Sequence, residues 1–383
     1  MTTPALQTKL PAVGTTIFTV MSALAAEKNA VNLGQGFPDF NCDPLLVQAV
    51  TTAMQQGLNQ YPPMAGIPSL RQAVSDKMVA LHGKRYDANT EITITAGATQ
   101  AIITIILAIV QAGDEVIVLE PCYDSYVPNI DLAGGVVVRV PLTPRTFRPD
   151  FDKIQAAITP KTRAIIINSP HNPSATVWTE AEMRQLQAIL APTNIFLISD
   201  EVYEHMVFDG KTHQSAARFA GLADRTFIVS SFGKTFHVTG WKVGTVCAPA
   251  SLTAEFRKVH QFNVFTVNTP VQYGLAAYLA DPEPYLALPA FYQKKRELFR
   301  AGLAKTKFKM LPSEGSYFQC VDISEVSDLP EADFCKWLTT EIGVAAIPLS
   351  AFYGDGFDQR VVRFCFAKQD ATLEMALSRL ATL

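Results

Sequence analysis

Ser230-Ser231-Phe232-Gly233-Lys234-Thr235-Phe236-His237-Val238-Thr239-Gly240-Trp241-Lys242-Val243-Gly244 follows directly on Thr226-Phe227-Ile228-Val229, an apolar run of the kind that forms a buried strand. A lysine just past such a strand, inside a turn rich in hydroxyls and glycines, has two readings. It is a solvated loop residue, or it is an amine held in a dry pocket, where its pKa falls and it can form a Schiff base. The spacing Ser231-x-x-Lys234 does not choose between them, because unrelated enzymes use it. The company that Lys234 keeps upstream decides.

Ala164-Ile165-Ile166-Ile167-Asn168 reads as a buried parallel strand, with the loop Ser169-Pro170-His171-Asn172-Pro173-Ser174-Ala175-Thr176 at its carboxyl end. A helical pattern from Glu180 to Leu190 leads to a strand over Ile195–Ser199, which ends in Asp200-Glu201-Val202-Tyr203-Glu204. Earlier, Glu91–Thr95 and Glu115–Leu119 read as strands. Between them Ala96-Gly97-Ala98-Thr99-Gln100 opens a helix that runs through Val110. That small-residue turn fits a tight connection or a phosphate site, since a helix N-terminus offers free N–H groups and a positive dipole end. Strands alternating with helices predict an α/β fold, a doubly wound and mostly parallel sheet flanked by helices, with ligands at the carboxyl ends of strands. Asn172, Asp200, Tyr203, Ser231 and Lys234 all fall at such ends.

Past Val259 the pattern changes. A helical stretch from Ala276 to about Lys305 is interrupted at Asp281-Pro282-Glu283-Pro284. Short strands are expected over Gly315–Val321, Val344–Pro348 and Val361–Phe366, with helices over Ala332–Thr340 and Thr372–Leu380. This is the pattern of a smaller α+β domain. Near the start, a helix over Ile17–Ala26 precedes Val31-Asn32-Leu33-Gly34-Gln35-Gly36-Phe37-Pro38-Asp39-Phe40, a loop whose glycines let backbone approach a ligand or simply turn.

The composition bounds the function. The 383 residues are 48% hydrophobic and 17% charged, the balance of a globular protein large enough for two domains. A formal charge of -3, with no block of lysine or arginine, gives no electrostatic case for nucleic acid. The six cysteines are scattered without a C-x-x-C pair, so neither disulfides nor a metal site is expected and a cytoplasmic setting fits. The first residues do not read as a secretory leader. The longest apolar stretch, Ala101–Val110, is too short to span a bilayer, so no membrane partner is expected.

The polar residues at strand ends, with Lys242 and the distant Arg363, suit one chemistry. Pyridoxal 5'-phosphate needs an amine for its aldehyde, a buried carboxylate for its ring nitrogen, donors for its phenolic oxygen, and hydroxyls and cations for its phosphate. Here the chain resembles the fold-type I, class I pyridoxal-phosphate-dependent aminotransferases, and within them the branch of methionine and kynurenine–glutamine aminotransferases. The resemblance rests on Asn-Leu-Gly-Gln-Gly-Phe-Pro-Asp-Phe (32–40), Asn-Gln-Tyr (59–61), Pro-His-Asn-Pro (170–173), Asp-Glu-Val-Tyr (200–203), Ser-Phe-Gly-Lys-Thr-Phe (231–236), Gly-Trp-Lys-Val-Gly (240–244) and Val-Arg-Phe-Cys-Phe-Ala-Lys (362–368). Together and in this order the motifs cover about 16–368, almost the whole chain.

The resemblance implies that Lys234 is the Schiff-base lysine and proton shuttle. Asp200 would pair with the ring nitrogen, Asn172 and Tyr203 would contact the phenolic oxygen, and Tyr123 would stack on the ring. The backbone at Ala98 and Thr99, with Ser231 and Lys242, would hold the phosphate, joined by Tyr61 from a second subunit. Arg363, helped by the Gly36 N–H and by Asn172, would clamp the substrate carboxylate. Phe18 and Phe265 would line the side-chain pocket. It implies residues 1–41 as an N-terminal arm and part of the small domain, 42–280 as the large cofactor-binding domain, and 281–383 as the small C-terminal domain. It also implies a homodimer with shared active sites, acting on amino acids and 2-oxo acids. Phe18 stands where kynurenine-type members often carry tryptophan, which argues against a kynurenine preference. The alternative chemistry on this frame is a β-lyase acting on cysteine S-conjugates, since both reactions start from the same carbanion. A transcriptional regulator with an aminotransferase-like domain is disfavoured, because the motif match begins by residue 16.

Overall fold

Seven strands form the central sheet: β1 (Ile92–Thr95), β2 (Glu115–Glu120), β3 (Val136–Pro141), β4 (Thr162–Asn168), β5 (Phe196–Asp200), β6 (Thr226–Ser231) and β7 (Gly244–Cys247). The computed structural model describes residues 6–383, so the first five residues of the expected N-terminal arm lie outside the described residues. The strand order is β1-β7-β6-β5-β4-β2-β3. Every pairing is parallel except those of β7, which runs antiparallel to β6 and β1. This is the expected mostly parallel sheet.

Alternate residues of each strand serve opposite faces, as a period of two requires. Val116, Val118, Ile166, Ile198, Phe227 and Val229 pack with Ile102, Ile105, Ile106 and Ile109 of the helix Gly97–Ile109, and with Phe256 of the helix Ala250–Asn263. Ile117, Leu119, Ile165, Ile167, Leu197 and Ile228 belong to the other core, with Met183, Leu186 and Leu190 of the helix Glu180–Leu190. Both faces are covered, so the central strands read as unbroken apolar runs. The two strands that the sequence pattern left unassigned are special cases. Edge strand β3 is largely exposed, and β7 is only four residues long. Gly244 opens β7 because a Cβ there would lie 2.6 Å from the Ser230 carbonyl oxygen.

A second, antiparallel sheet lies in the C-terminal third, in the order Ile347–Pro348, Val361–Cys365, Phe318–Asp322, Lys309–Met310. The expected strand over Val344–Pro348 is two strands divided at Ala346. Val344–Ala345 pairs in parallel with Val31–Asn32, and Ile347–Pro348 pairs with Val362 and Arg363. The N-terminal segment is thereby tied to the end of the chain. The stretch expected to be helical from Ala276 is three helices, Thr269–Tyr278, Glu283–Leu286 and Leu288–Leu303, divided where proline denies the backbone its donors. Among the described residues, no helix is long and apolar enough to cross a membrane.

The loop after β5 is anchored from behind by buried charge. Glu204 accepts from Lys77 of the helix Pro68–His82 at 2.7 Å, both side chains being almost fully buried. Glu201 accepts from Ser199 Oγ and the Ala216 N–H, and pairs with His213 Nε2 at 2.8 Å. Removing one member of a buried pair strands the other charge at a cost of about 3–5 kcal/mol. Lys77→Ala is therefore expected to lower the melting temperature by about 5 °C or more in calorimetry. A change below about 1 °C would show that Glu204 does not depend on its partner.

Candidate active site

The carboxyl ends of β4, β5 and β6, the first turn of the helix Gly97–Ile109 and the loop 34–37 surround a cavity of about 370 Å³. Each element delivers its side chains for a local reason. The strands stop at Asn168, Asp200 and Ser231, where the apolar run gives way to polar residues. Adjacent parallel strands place these ends side by side, and Phe318 and Arg363 of the second sheet line the same cavity.

Lys234 sits in a helical turn, Phe232–Thr235, rather than in an open loop. Its Nζ donates to Tyr317 Oη at 3.0 Å and to the Gly36 carbonyl at 3.2 Å. Burial lowers its pKa to about 8, and the charges of Lys242 and Arg363 push the same way. Asp200 is 4% exposed and accepts from Tyr126 Oη at 2.6 Å and from the Val202 N–H at 3.3 Å. Burial raises its carboxyl to about 6 against those two hydrogen bonds and the pull of Lys234. A buried carboxylate so poised is stabilised by a cation such as a protonated ring nitrogen.

Arg363 is 1% exposed and lies 4.0 Å above the Phe318 ring. Its two hydrogen-bond partners, Asn172 Oδ1 at 2.5 Å and the Gly34 carbonyl at 3.0 Å, are neutral oxygens. Its Nε is buried and has no partner among the described residues. Burial depresses its pKa. A guanidinium in this condition offers N–H groups to an anion.

The helix N-terminus at Gly97, Ala98 and Thr99 has no side-chain cap, which leaves its N–H groups free toward the cavity wall. Gly97 has φ +78°, a conformation that favours glycine, and it lies against Lys242. Bare N–H groups, the Ser231 hydroxyl and the Lys242 amine around one space fit a phosphate. Lys234 fits an aldehyde, Asp200 a ring nitrogen, and Tyr203 and Asn172 a phenolic oxygen. The donor set suits pyridoxal 5'-phosphate.

Twelve of the fourteen residues expected from the sequence line this cavity: Phe18, Gly36, Ala98, Thr99, Tyr123, Asn172, Asp200, Tyr203, Ser231, Lys234, Lys242 and Arg363. Tyr61 and Phe265 do not. They stack on each other edge to face at 5.3 Å on the surface, 82% and 37% exposed. Sequence reasoning missed Asn168, whose side chain donates to the Asp200 carbonyl and accepts from the Asn172 N–H. A polar residue closing an apolar strand was the signal. Tyr126, whose hydroxyl donates to Asp200, belongs to the site as well. Tyr317 and Phe318, at the start of the buried strand Phe318–Asp322, carried no local signal of a site role.

Comparison with known proteins agrees with this geometry. The model of the family "aminotransferase class I and II" matches residues 28–380. The methionine aminotransferase of Escherichia coli is 51% identical over 378 residues, covering 98% of each chain. An E. coli crystal structure whose reactivity identified a methionine aminotransferase function superposes with a TM-score of 0.98, at 50% identity over 100% of both chains. The N-succinyldiaminopimelate aminotransferase structure from Mycobacterium tuberculosis follows with a TM-score of 0.95 and 41% identity, over 99% of this chain and 100% of that one. Kynurenine–oxoglutarate transaminase 3 of Rattus norvegicus is 36% identical over 94% of this chain and 86% of its own.

Lys234 should titrate near 8 in the cofactor-free protein, against 10.5 for an unperturbed lysine. Its acylation rate, read on the Lys234 peptide by mass spectrometry, should reach half its maximum near that pH. A midpoint at the ordinary lysine value would mean that the amine is solvated.

Proposed function

This chain belongs to the class I and II aminotransferases and moves amino groups between amino acids and 2-oxo acids with pyridoxal 5'-phosphate, and on that premise we propose that its donors are uncharged amino acids, methionine first. Aromatic amino acids, histidine and glutamine come next. The observation that carries this is the cation inventory of the cavity, which is Lys234, Lys242 and Arg363. Each has a task, so a distal carboxylate would be buried unpaired, which is costly. The neighbouring wall is aromatic, with Phe18, Phe37 and Phe318, and thioether sulfur packs well against such rings.

The family resemblance and the clustering of these residues around one cavity support the following roles. Lys234 holds the cofactor's aldehyde carbon and moves the α-proton, a task suited to an amine that is partly neutral near pH 8. Asp200 keeps the ring nitrogen protonated, and Asn172 and Tyr203 hold the phenolic oxygen. Tyr123 stacks on the ring. The N–H groups at Ala98 and Thr99, with Ser231 and Lys242, hold the phosphate. Arg363 and the Gly36 N–H orient the substrate carboxylate, with Asn172 fixing the guanidinium. Bound here, the cofactor supplies an electron sink for the pair left by the departing proton. A cavity walled by both domains excludes water from that step.

The enzyme is a homodimer with shared sites on this reading. Support comes from the exposed aromatics Tyr61, Phe262 and Phe265, of which Tyr61 and Phe265 stack on each other at the surface. Tyr61 of the partner subunit then reaches the phosphate and Phe265 of the partner subunit the substrate side chain. The large domain spans 42–280, with the small domain formed by 281–383 and part of 1–41. Six free cysteines support a reducing, cytoplasmic setting.

With a common oxo-acid acceptor, kcat/KM for methionine should exceed that for aspartate by about tenfold or more. Equal values, or a preference for aspartate, would overturn the donor class. Asp200→Asn should keep cofactor binding but lose about 100-fold or more in kcat, since an amide cannot hold the ring's charge. Near-normal turnover contradicts its role. Mixing inactive Lys234→Ala protein with an inactive Tyr61 variant should restore activity in hybrid dimers, and an active monomer in sedimentation would exclude shared sites.

A further inference from the structure

The Lys234 amine has a partner that neither the sequence motifs nor the comparisons single out. Tyr317 lies at the foot of the strand Phe318–Asp322, fully buried, with its hydroxyl 3.0 Å from Lys234 Nζ. That hydroxyl donates its proton to the Gly36 carbonyl, which also accepts from Lys234. With its proton committed, the oxygen presents only lone pairs to the lysine. Tyr317 Oη and Gly36 O therefore form a two-acceptor seat for a Lys234 N–H donor.

The seat is built rigidly. The Tyr317 ring packs edge to face on Tyr203 at 5.0 Å and on Phe318 at 4.9 Å, and lies 5.8 Å from Tyr292. Such packing fixes the ring and with it the direction of the hydroxyl. Gly36 is held close, since a Cβ on it would lie 3.0 Å from the Phe318 ring. The lysine amine also lies 5.6 Å from the Tyr203 ring and 5.7 Å from that of Tyr317. Both acceptors and both rings favour an ammonium over an amine.

We propose that Tyr317 is a positioning residue for the transamination, holding the Lys234 amine between its turns at the cofactor and favouring its protonated form. This rests on the reading of Lys234 as the cofactor lysine. On that reading the lysine would leave the cofactor in the first half-reaction and return to it in the second. The Tyr317–Gly36 seat gives it one resting place, within the cavity and on the loop that the substrate carboxylate approaches. Without the hydroxyl the amine keeps one acceptor, loses its fixed direction and gives up its proton more readily.

Tyr317→Phe removes the hydroxyl and keeps the ring. The test uses holoenzyme with its cofactor converted to the amine form, in which Lys234 is free. Cyanate carbamoylation of Lys234 is followed by mass spectrometry from about pH 6 to 10. The midpoint should fall by about one pH unit in Tyr317→Phe, the worth of one hydrogen bond to a charged donor. The melting temperature should stay within about 2 °C, because the packing is retained. An unchanged midpoint overturns the proposal. A second measurement needs no variant: a crystal structure of the wild-type amine form should show Nζ within about 3.3 Å of Tyr317 Oη, and a lysine that has left the seat overturns the proposal as well. Turnover surviving in Lys234→Ala would instead overturn the reading of Lys234, and the Tyr317 titration would still report on the seat itself.

Discussion

A buried guanidinium with no counter-charge holds the active-site end of this molecule together. Arg363 comes from the small sheet, Asn172 from the loop after β4, and Gly34 from the N-terminal segment. Two neutral oxygens and three aromatic rings, Phe18, Phe318 and Phe352, surround the charge. Burying a cation costs several kcal/mol even after relaxation, to order of magnitude, and neutral partners offset only part of that. The arrangement is stable because three separate stretches of chain converge on it. Its Nε–H, buried without a partner among the described residues, leaves a donor that an anion would satisfy.

The same logic governs Lys234 and Asp200. One amine and one carboxyl are both taken out of water at the ends of adjacent strands, and burial pushes their pKa values toward each other, to about 8 and about 6. The amine is thus near the range suited to proton movement at neutral pH, and the buried carboxyl is stabilised as an anion by a neighbouring cation. Behind Asp200, Glu204 pairs with Lys77 and Glu201 with His213, which anchors the loop that presents Asp200 and Tyr203. In the cavity itself Arg363 keeps a buried Nε–H without a partner among the described residues. That orphaned donor marks a site prepared for an anionic ligand.

Much of this was legible in the sequence. The long apolar strands β2, β4, β5 and β6 announced themselves, and the polar residues that end them fall around one cavity, as parallel topology requires. β3 is a valine run broken only by Arg139 and was legible as a strand, whereas β7 was hidden because it is four residues long and opens with glycine. Asn168 was readable as the polar residue that closes an apolar strand, whereas Tyr317 was not, since its chemistry arises from packing of segments far apart in sequence. The Lys77–Glu204 pair spans 127 residues and has no local pattern at all. Tyr61 and Phe265 carried a family signal, but within one chain they meet only each other.

The central claim is that Lys234, and no other amine, carries the cofactor. Holoenzyme reduced with borohydride and digested should yield the pyridoxyl group on the peptide that contains Lys234, at close to one per chain. The neighbouring Lys242 lines the same cavity and is the natural competitor. Pyridoxyl label on Lys242, or spread over several lysines, would contradict the account.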